Sequence, residues 1–196
     1  MKILVIGATG TIGSAVVAAL EDKGHEVVRA SRNGPVAVDM TDPASVEAAL
    51  TSVRDLDAVV CCAASGRLTP LASASDEDFT AGLHGKLLGQ VTLVRRALHL
   101  VRDGGSITLT SGVFAEPTPG GAFGVLVNAG LDAFVAAAAI EMPRGLRLNA
   151  VSPGWVSETL EAMGEDGSQG TPATEVARTY LRAIEGTTQG QILLPR

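Results

Sequence analysis

Aromatic residues make up only 3% of this chain of 196: one Trp, one Tyr and four Phe. The core must therefore be built from Val, Leu, Ile and Ala, a palette that suits a parallel sheet covered by helices on both faces. The only two cysteines, Cys61 and Cys62, are adjacent. That excludes a disulfide framework and gives no metal-ligand spacing. Free thiols fit a reducing, cytoplasmic setting. Positive charge is thin, with 15 Lys and Arg against 21 Asp and Glu and a net charge of −6. No basic stripe runs through the chain, so nucleic acid is not an expected partner. No apolar run approaches the roughly 20 residues of a membrane span, so no membrane partner is expected. The run Ile3 to Ile6 is cut by Gly7 too early to form a signal peptide. Repeats, low-complexity stretches and linkers are missing, and the length suits one domain over residues 1–196.

What the chain has is an alternation of short apolar runs and helical patterns. Strands are expected at Lys2–Ile6, Glu26–Ala30, Val36–Val38, Asp57–Cys62, Gly105–Thr110, Gly145–Val151 and Gln191–Leu194. Helices are expected at Thr11–Lys23, Pro43–Val53, Asp76–Val101, Gly121–Met142 and Thr174–Ile184. Asp42 before Pro43 reads as a helix N-cap, and Gly24 as the residue that closes the first helix. Gly104 and Gly105 read as the break between the long helix and its following strand. The order predicts an α/β fold, a single doubly wound Rossmann domain with a seven-stranded parallel sheet and helices on both faces. Gly164 to Thr171, polar and glycine-rich, reads as a flap.

The first strand runs into Gly7-Ala8-Thr9-Gly10-Thr11-Ile12-Gly13 and then a helical pattern. Strand, tight turn and helix N-terminus place backbone N–H groups and a positive dipole end against a pyrophosphate. Gly7, Thr9, Gly10, Thr11, Ile12 and Gly13 are thus expected to bind a dinucleotide. The second strand ends in Ser31-Arg32 rather than a carboxylate. Arg32 can take a 2′-phosphate bidentately and Ser31 can add a hydrogen bond, so NADP is expected over NAD. Asp39 and Met40, after the third strand, fall where the adenine would lie; for Asp39 a plain turn cap is the competing reading.

Together these features resemble the short-chain dehydrogenase/reductase superfamily over almost the whole chain. Gly7, Gly10 and Gly13 match its nucleotide loop, and Asp57 to Ala64 stands where the family has a strand ending in Asn-Asn-Ala-Gly. On that match Ala63 and Ala64 meet the cofactor. Gly105 to Ser111 resembles the strand that delivers the catalytic serine, which falls on Ser111. Asn149 to Val156 is very similar to the strand and loop that embrace the nicotinamide, which implies roles for Pro153, Gly154, Trp155 and Val156. Thr188 to Gln191 resembles the approach to the last strand. The family pattern also implies a homodimer or homotetramer, and small residues such as Ala136 to Ala139 suit close helix contact.

The family's Tyr-x-x-x-Lys motif is absent. The one tyrosine is Tyr180, and the lysines are Lys2, Lys23 and Lys86. Alignment of the helix after Ser111 puts Gly124 at the tyrosine and Asn128 at the lysine. Lys86 stands where the family usually has an asparagine, and a partly buried lysine can titrate in the useful range. A snorkelling or interface lysine is the competing reading. Ser111, Lys86 and Asn128 are therefore the catalytic candidates, with Glu116 and Thr118 as pocket candidates and Cys61 and Cys62 as packing residues. Two functions follow. One is an NADP-dependent oxidoreductase acting on a small carbonyl or alcohol, with Ser111 polarising the carbonyl. The other is an NADP(H)-binding sensor or scaffold that has lost the chemistry.

Overall fold

A computed structural model describes residues 1–64, 66, 68–72 and 75–195, with the side chains of residues 79 and 81 outside the description. Seven parallel strands form one sheet in the order β3-β2-β1-β4-β5-β6-β7. They are β1 (Lys2–Ile6), β2 (Glu26–Ser31), β3 (Val36–Ala37), β4 (Leu56–Cys61), β5 (Val101–Thr110), β6 (Arg147–Val151) and β7 (Ile192–Leu193). The helices are α1 (Thr11–Asp22), α2 (Pro43–Thr51), α3 (Asp76–Gly82), α4 (Gly89–Ala97), α5 (Ala122–Ala138), α6 (Ser157–Ala162) and α7 (Ala173–Glu185).

Strand alternation sorts the core into two layers. In β1, Ile3 and Val5 pack with Val16, Val17 and Leu20 of α1 and with Val176 and Tyr180 of α7. Leu4 and Ile6 face the other way, toward Val46 of α2, Leu93 of α4 and Leu131 of α5. Both faces of the strand are sealed, which is why it reads as an unbroken apolar run. The Asp42 carboxylate accepts from the Ala44 amide at 2.9 Å and caps α2, with Pro43 in the first turn. Gly24 closes α1 at φ +77°.

The structure departs from the expectations at several points. The long helix Asp76–Val101 is interrupted by a widened π turn over Leu83–Leu88, and the chain has left helix by Leu98. Gly82, Gly85 and Gly89 lower the helical propensity there, and Gly89 lies so close to the Met40 carbonyl that no side chain fits. Gly104 and Gly105 do not precede β5 but lie inside it. Gly104 takes φ +74°, and the pairing with β4 shifts register between Leu56 and Ala58. Helix α6 was not anticipated, because six residues carry too little periodicity. Finally, residues Ala122–Glu141 form a helical run of 20 residues that is long and apolar enough to cross a membrane by length and composition alone. The helix was expected at Gly121–Met142, but its apolar length runs against the expectation that no run approaches a membrane span. Its buried stripe Val127, Asn128, Leu131 and Val135 packs against the sheet.

The segment Gly164–Thr171, read as a flap, is bonded to its surroundings. Thr171 donates to the Trp155 carbonyl at 2.8 Å and accepts from the Ser157 amide at 3.0 Å.

Candidate functional site: a nucleotide crevice beside a half-buried lysine

Strand β1 lies between β2 and β4, so the chain diverges there and opens a crevice at the carboxyl edge of the sheet. Gly7 turns out of β1 at φ +79°, and its amide bonds the Ala30 carbonyl at 2.9 Å. A Cβ on Gly7 would stand 2.6 Å from the Ala63 nitrogen, and one on Gly13 would strike the Gly7 carbonyl. Only glycine lets these backbones meet. Cys62 donates its amide to the Ile6 carbonyl at 2.7 Å, which seats Ala63 and Ala64 beside the loop. Thr9, Gly10 and Thr11 are exposed. The first helical bond runs from Ser14 to the Gly10 carbonyl, so the amides of Thr11, Ile12 and Gly13 precede the intrahelical ladder. Helix α1 has no acidic residue in its first turn and no side-chain cap. This cradle fits a diphosphate.

Ser31 ends β2 half-buried, and Arg32 beyond it is exposed. Asp39 accepts from the Thr41 amide at 2.9 Å and the Thr41 hydroxyl at 2.7 Å. These bonds, aided by the Arg32 charge, hold its carboxyl below the usual range. Met40 is buried, with its carbonyl beneath Gly89.

The second half of the site gathers around the end of β5. Ser111 is 2% exposed; its amide bonds the Val151 carbonyl at 2.9 Å, and its hydroxyl donates to the Asn128 carbonyl at 3.3 Å. Lys86, from the π turn, donates its ammonium to the Ser111 carbonyl at 3.0 Å. Burial lowers the Lys86 pKa to about 8, while the charge of Asp132 and the nearby Cys61 oppose the shift. Asn128 is buried, its Oδ1 without a hydrogen-bond partner among the described residues, and Oδ1 of Asp132, four residues on, is in the same condition. Both acceptors lie on one face of α5. Exposed His84, which precedes Lys86 by two residues, takes no part.

Phe114 closes the place of the missing tyrosine. A Cβ on Gly124 would meet its ring at 3.3 Å. The Phe114 and Trp155 rings stand edge to face at a centroid distance of 6.0 Å. Pro153 accepts from the Val113 amide at 3.0 Å, Gly154 is exposed, and buried Val156 bridges to Thr171. The Thr118 hydroxyl bonds the Glu116 carbonyl at 3.1 Å within the loop after Ser111, and Glu116 is exposed.

Three residues of this cluster escaped the sequence reading. Gln90 and Asp132 each follow a named candidate, Lys86 and Asn128, by four positions, a spacing that would have flagged a shared helix face. Tyr180, noted only as the sole tyrosine, is fully buried in α7. Its hydroxyl lies 2.5 Å from the Thr110 hydroxyl, which donates to the Cys61 carbonyl.

Residues 7–188 match a family model described as enoyl-(acyl carrier protein) reductase. Carbonyl reductase family member 4 of Danio rerio is 28% identical over 224 residues, covering 97% of this chain and 94% of that one. The solved structure of the protein lin1944 from Listeria innocua superposes with a TM-score of 0.94 at 37% identity over the whole of both chains. A small-chain dehydrogenase in complex with NADPH shares the fold, with a TM-score of 0.86 at 23% identity over 99% of this chain and 95% of that one.

Proposed function

The chain belongs to the short-chain dehydrogenase/reductase superfamily of NAD(P)-dependent oxidoreductases, and from that premise we propose that it reduces a small carbonyl, or oxidises the matching alcohol, with NADP(H) and with Lys86 as proton donor. The amides of Thr9 to Gly13 would hold the diphosphate, Ser31 and Arg32 the 2′-phosphate, and Asp39 and Met40 the adenine. Ala63, Ala64 and Pro153 to Val156 would enclose the nicotinamide end. When bound, the dinucleotide supplies or accepts the hydride.

The observation that carries this reading is the 3.0 Å bond from the Lys86 ammonium to the Ser111 carbonyl. In the family pattern the cation belongs at position 128 and the carboxamide at position 86; here the two have exchanged helices. The exchange brings an ammonium with a pKa near 8 to the serine that would polarise the substrate. An acid in that range is protonated at neutral pH yet gives up its proton readily. Ser111 would turn its hydroxyl from the Asn128 carbonyl, a long 3.3 Å bond, to the substrate oxygen. The Asn128 carbonyl would then be left free beside that space.

The test is NADPH oxidation with a panel of small aldehydes and ketones. Lys86→Met and Ser111→Ala should each lower the rate about 10²- to 10⁴-fold. The wild-type rate should fall as pH rises above about 8, where Lys86 loses its proton. Equal rates in both variants and the parent would end this mechanism. One observation favours the sensor reading instead: the Phe114 ring stands against Gly124 and fills the space a tyrosine would need. On that reading NADPH binds but no member of the panel is turned over.

We also propose that the outer face of α5 joins copies of the chain. Val125 and Leu126 are half exposed there, and Ile140 just beyond is 90% exposed. Sedimentation should give a homodimer or homotetramer that Ile140→Glu weakens; a parent that sediments as a monomer would refute the contact.

A further inference from the structure

Gln90 lies in the first turn of α4 and is completely buried. A carboxamide in a core normally costs stability unless its donors and acceptor are all bonded. Here they are. Nε2 donates to the Lys86 carbonyl at 2.9 Å and to the Thr110 carbonyl at 3.0 Å, while Oε1 accepts from the Thr110 amide at 2.9 Å. The side chain therefore bonds both polar groups of one residue in β5, as a neighbouring strand would.

The topology explains why Thr110 needs it. Val60 lies opposite Thr108, but β4 ends at Cys61, and Cys62 turns its amide to the Ile6 carbonyl on the other side. Among the described residues, Thr110 is left at the strand end with no strand on its β4 side. Its hydroxyl reaches back to the Cys61 carbonyl, and Gln90 supplies the missing rung for its main chain. The third bond, to Lys86, ties the same rung to the widened turn. One side chain thus joins the residue before Ser111 to the residue whose ammonium bonds Ser111.

We propose that Gln90 is a positioning residue: its carboxamide locks the turn that bears Lys86 to the strand end that bears Ser111, and so fixes the ammonium against the serine. The inference rests on the reading of Lys86 and Ser111 as the reacting pair. It differs from a packing role, which a leucine of similar size would fill.

The experiment reads Lys86 directly and needs no turnover. The chain has three lysines, so protein labelled with ¹³C-lysine gives three side-chain signals to titrate, and Lys86→Arg identifies the one of interest. In the parent, the Lys86 midpoint should lie near 8. In Gln90→Leu and Gln90→Glu it should rise by at least about half a pH unit, toward the ordinary lysine range. NADPH affinity should stay within about twofold, because the Gln90 carboxamide bonds Lys86 and Thr110 rather than the nucleotide loop. An unmoved midpoint in a variant that still binds NADPH would overturn the proposal. Should neither variant fold, amide exchange in the parent decides. Gln90 side-chain protons that exchange as fast as those of exposed Gln169 would refute the clamp; strong protection would support it. A Lys86→Met variant that reduces the panel at full rate would refute the donor reading alone and leave the titration result standing.

Discussion

A carboxylate at the end of β2 would hold the ribose hydroxyls of an adenosine and repel a phosphate on either of them. Ser31 and Arg32 stand there instead, and Asp39, whose carboxylate feels the Arg32 charge, is bonded to Thr41. Arg32→Asp should therefore weaken NADPH binding at least tenfold while NADH binding changes little or improves; fluorescence titration of both nucleotides measures it. Equal losses for the two would remove Arg32 from the phosphate site. At this scale the sequence was informative wherever chemistry singles out a residue type. Ser111 could be named because its strand resembles the family's serine strand, and Lys86 because it is one of only three lysines and falls where the family usually has an asparagine. Gln90 shares a helix face with Lys86 by its spacing, but its role could not be read, because two of its three bonds go to Thr110, twenty residues away. The fit between Gly124 and Phe114 was hidden for the same reason: the loop after Ser111 has no periodicity to place a ring.

Elements meet at glycines, and the tightest meeting is that of α1 with the loop before it. Gly13 presses on the Gly7 carbonyl, and Gly7 on the Ala63 nitrogen, so β1, α1 and the end of β4 approach through backbone alone. A backbone neighbour cannot rotate away as a side chain can. Gly13→Ala should thus cost about 1–3 kcal/mol or more by overpacking and should open the turn that cradles the diphosphate. A drop in thermal midpoint together with at least tenfold weaker NADPH binding is expected; an alanine variant that matches the parent in both would show that the loop has slack. The same dependence on neighbours explains which elements were legible. Strands β1 and β4 are buried on both faces and announce themselves as apolar runs bounded by turn residues. The π turn was not legible, since Gly82, Gly85 and Gly89 weaken the helix without showing how it widens, and the Met40 carbonyl that packs against Gly89 comes from a distant part of the chain. Strand β5 was misjudged at its start, because glycines normally end elements. Gly105 instead allows the close approach of the Asp57 carbonyl, while Gly104 takes the left-handed turn beside it.

For the whole molecule, the buried titratable groups set how stability responds to alkali. Burial raises the Cys61 thiol to about 12, and it raises Cys62 and Tyr180 as well. The folded chain keeps these protons at pH values where the unfolded chain releases them, near 9 for the thiols and near 10 for the phenol. Their contribution to stability is complete below those values and is lost as pH rises toward the folded ones. Lys86 acts in the opposite sense. Its folded pKa of about 8 lies below the ordinary 10.5, so between these values the unfolded chain binds the extra proton and rising pH favours the fold. Each fully titrating group changes stability by about 1.4 kcal/mol per pH unit. Above about pH 9.5 the two thiols outweigh the single lysine, and the phenol adds to them above about 10. The thermal midpoint should then be nearly level from pH 7.5 to 8.5 and fall with increasing slope from about 9.5 to 11. Cys62→Ala should flatten the fall, whereas Lys86→Met should steepen it across pH 8 to 10 by removing the opposing contribution. A midpoint that rises through that range, or is indifferent to Cys62→Ala, would mean that the cluster joining Cys61, Cys62, Thr110 and Tyr180 is open to solvent. In that case the carboxyl edge of the sheet could not form the dry floor that keeps the Lys86 proton labile.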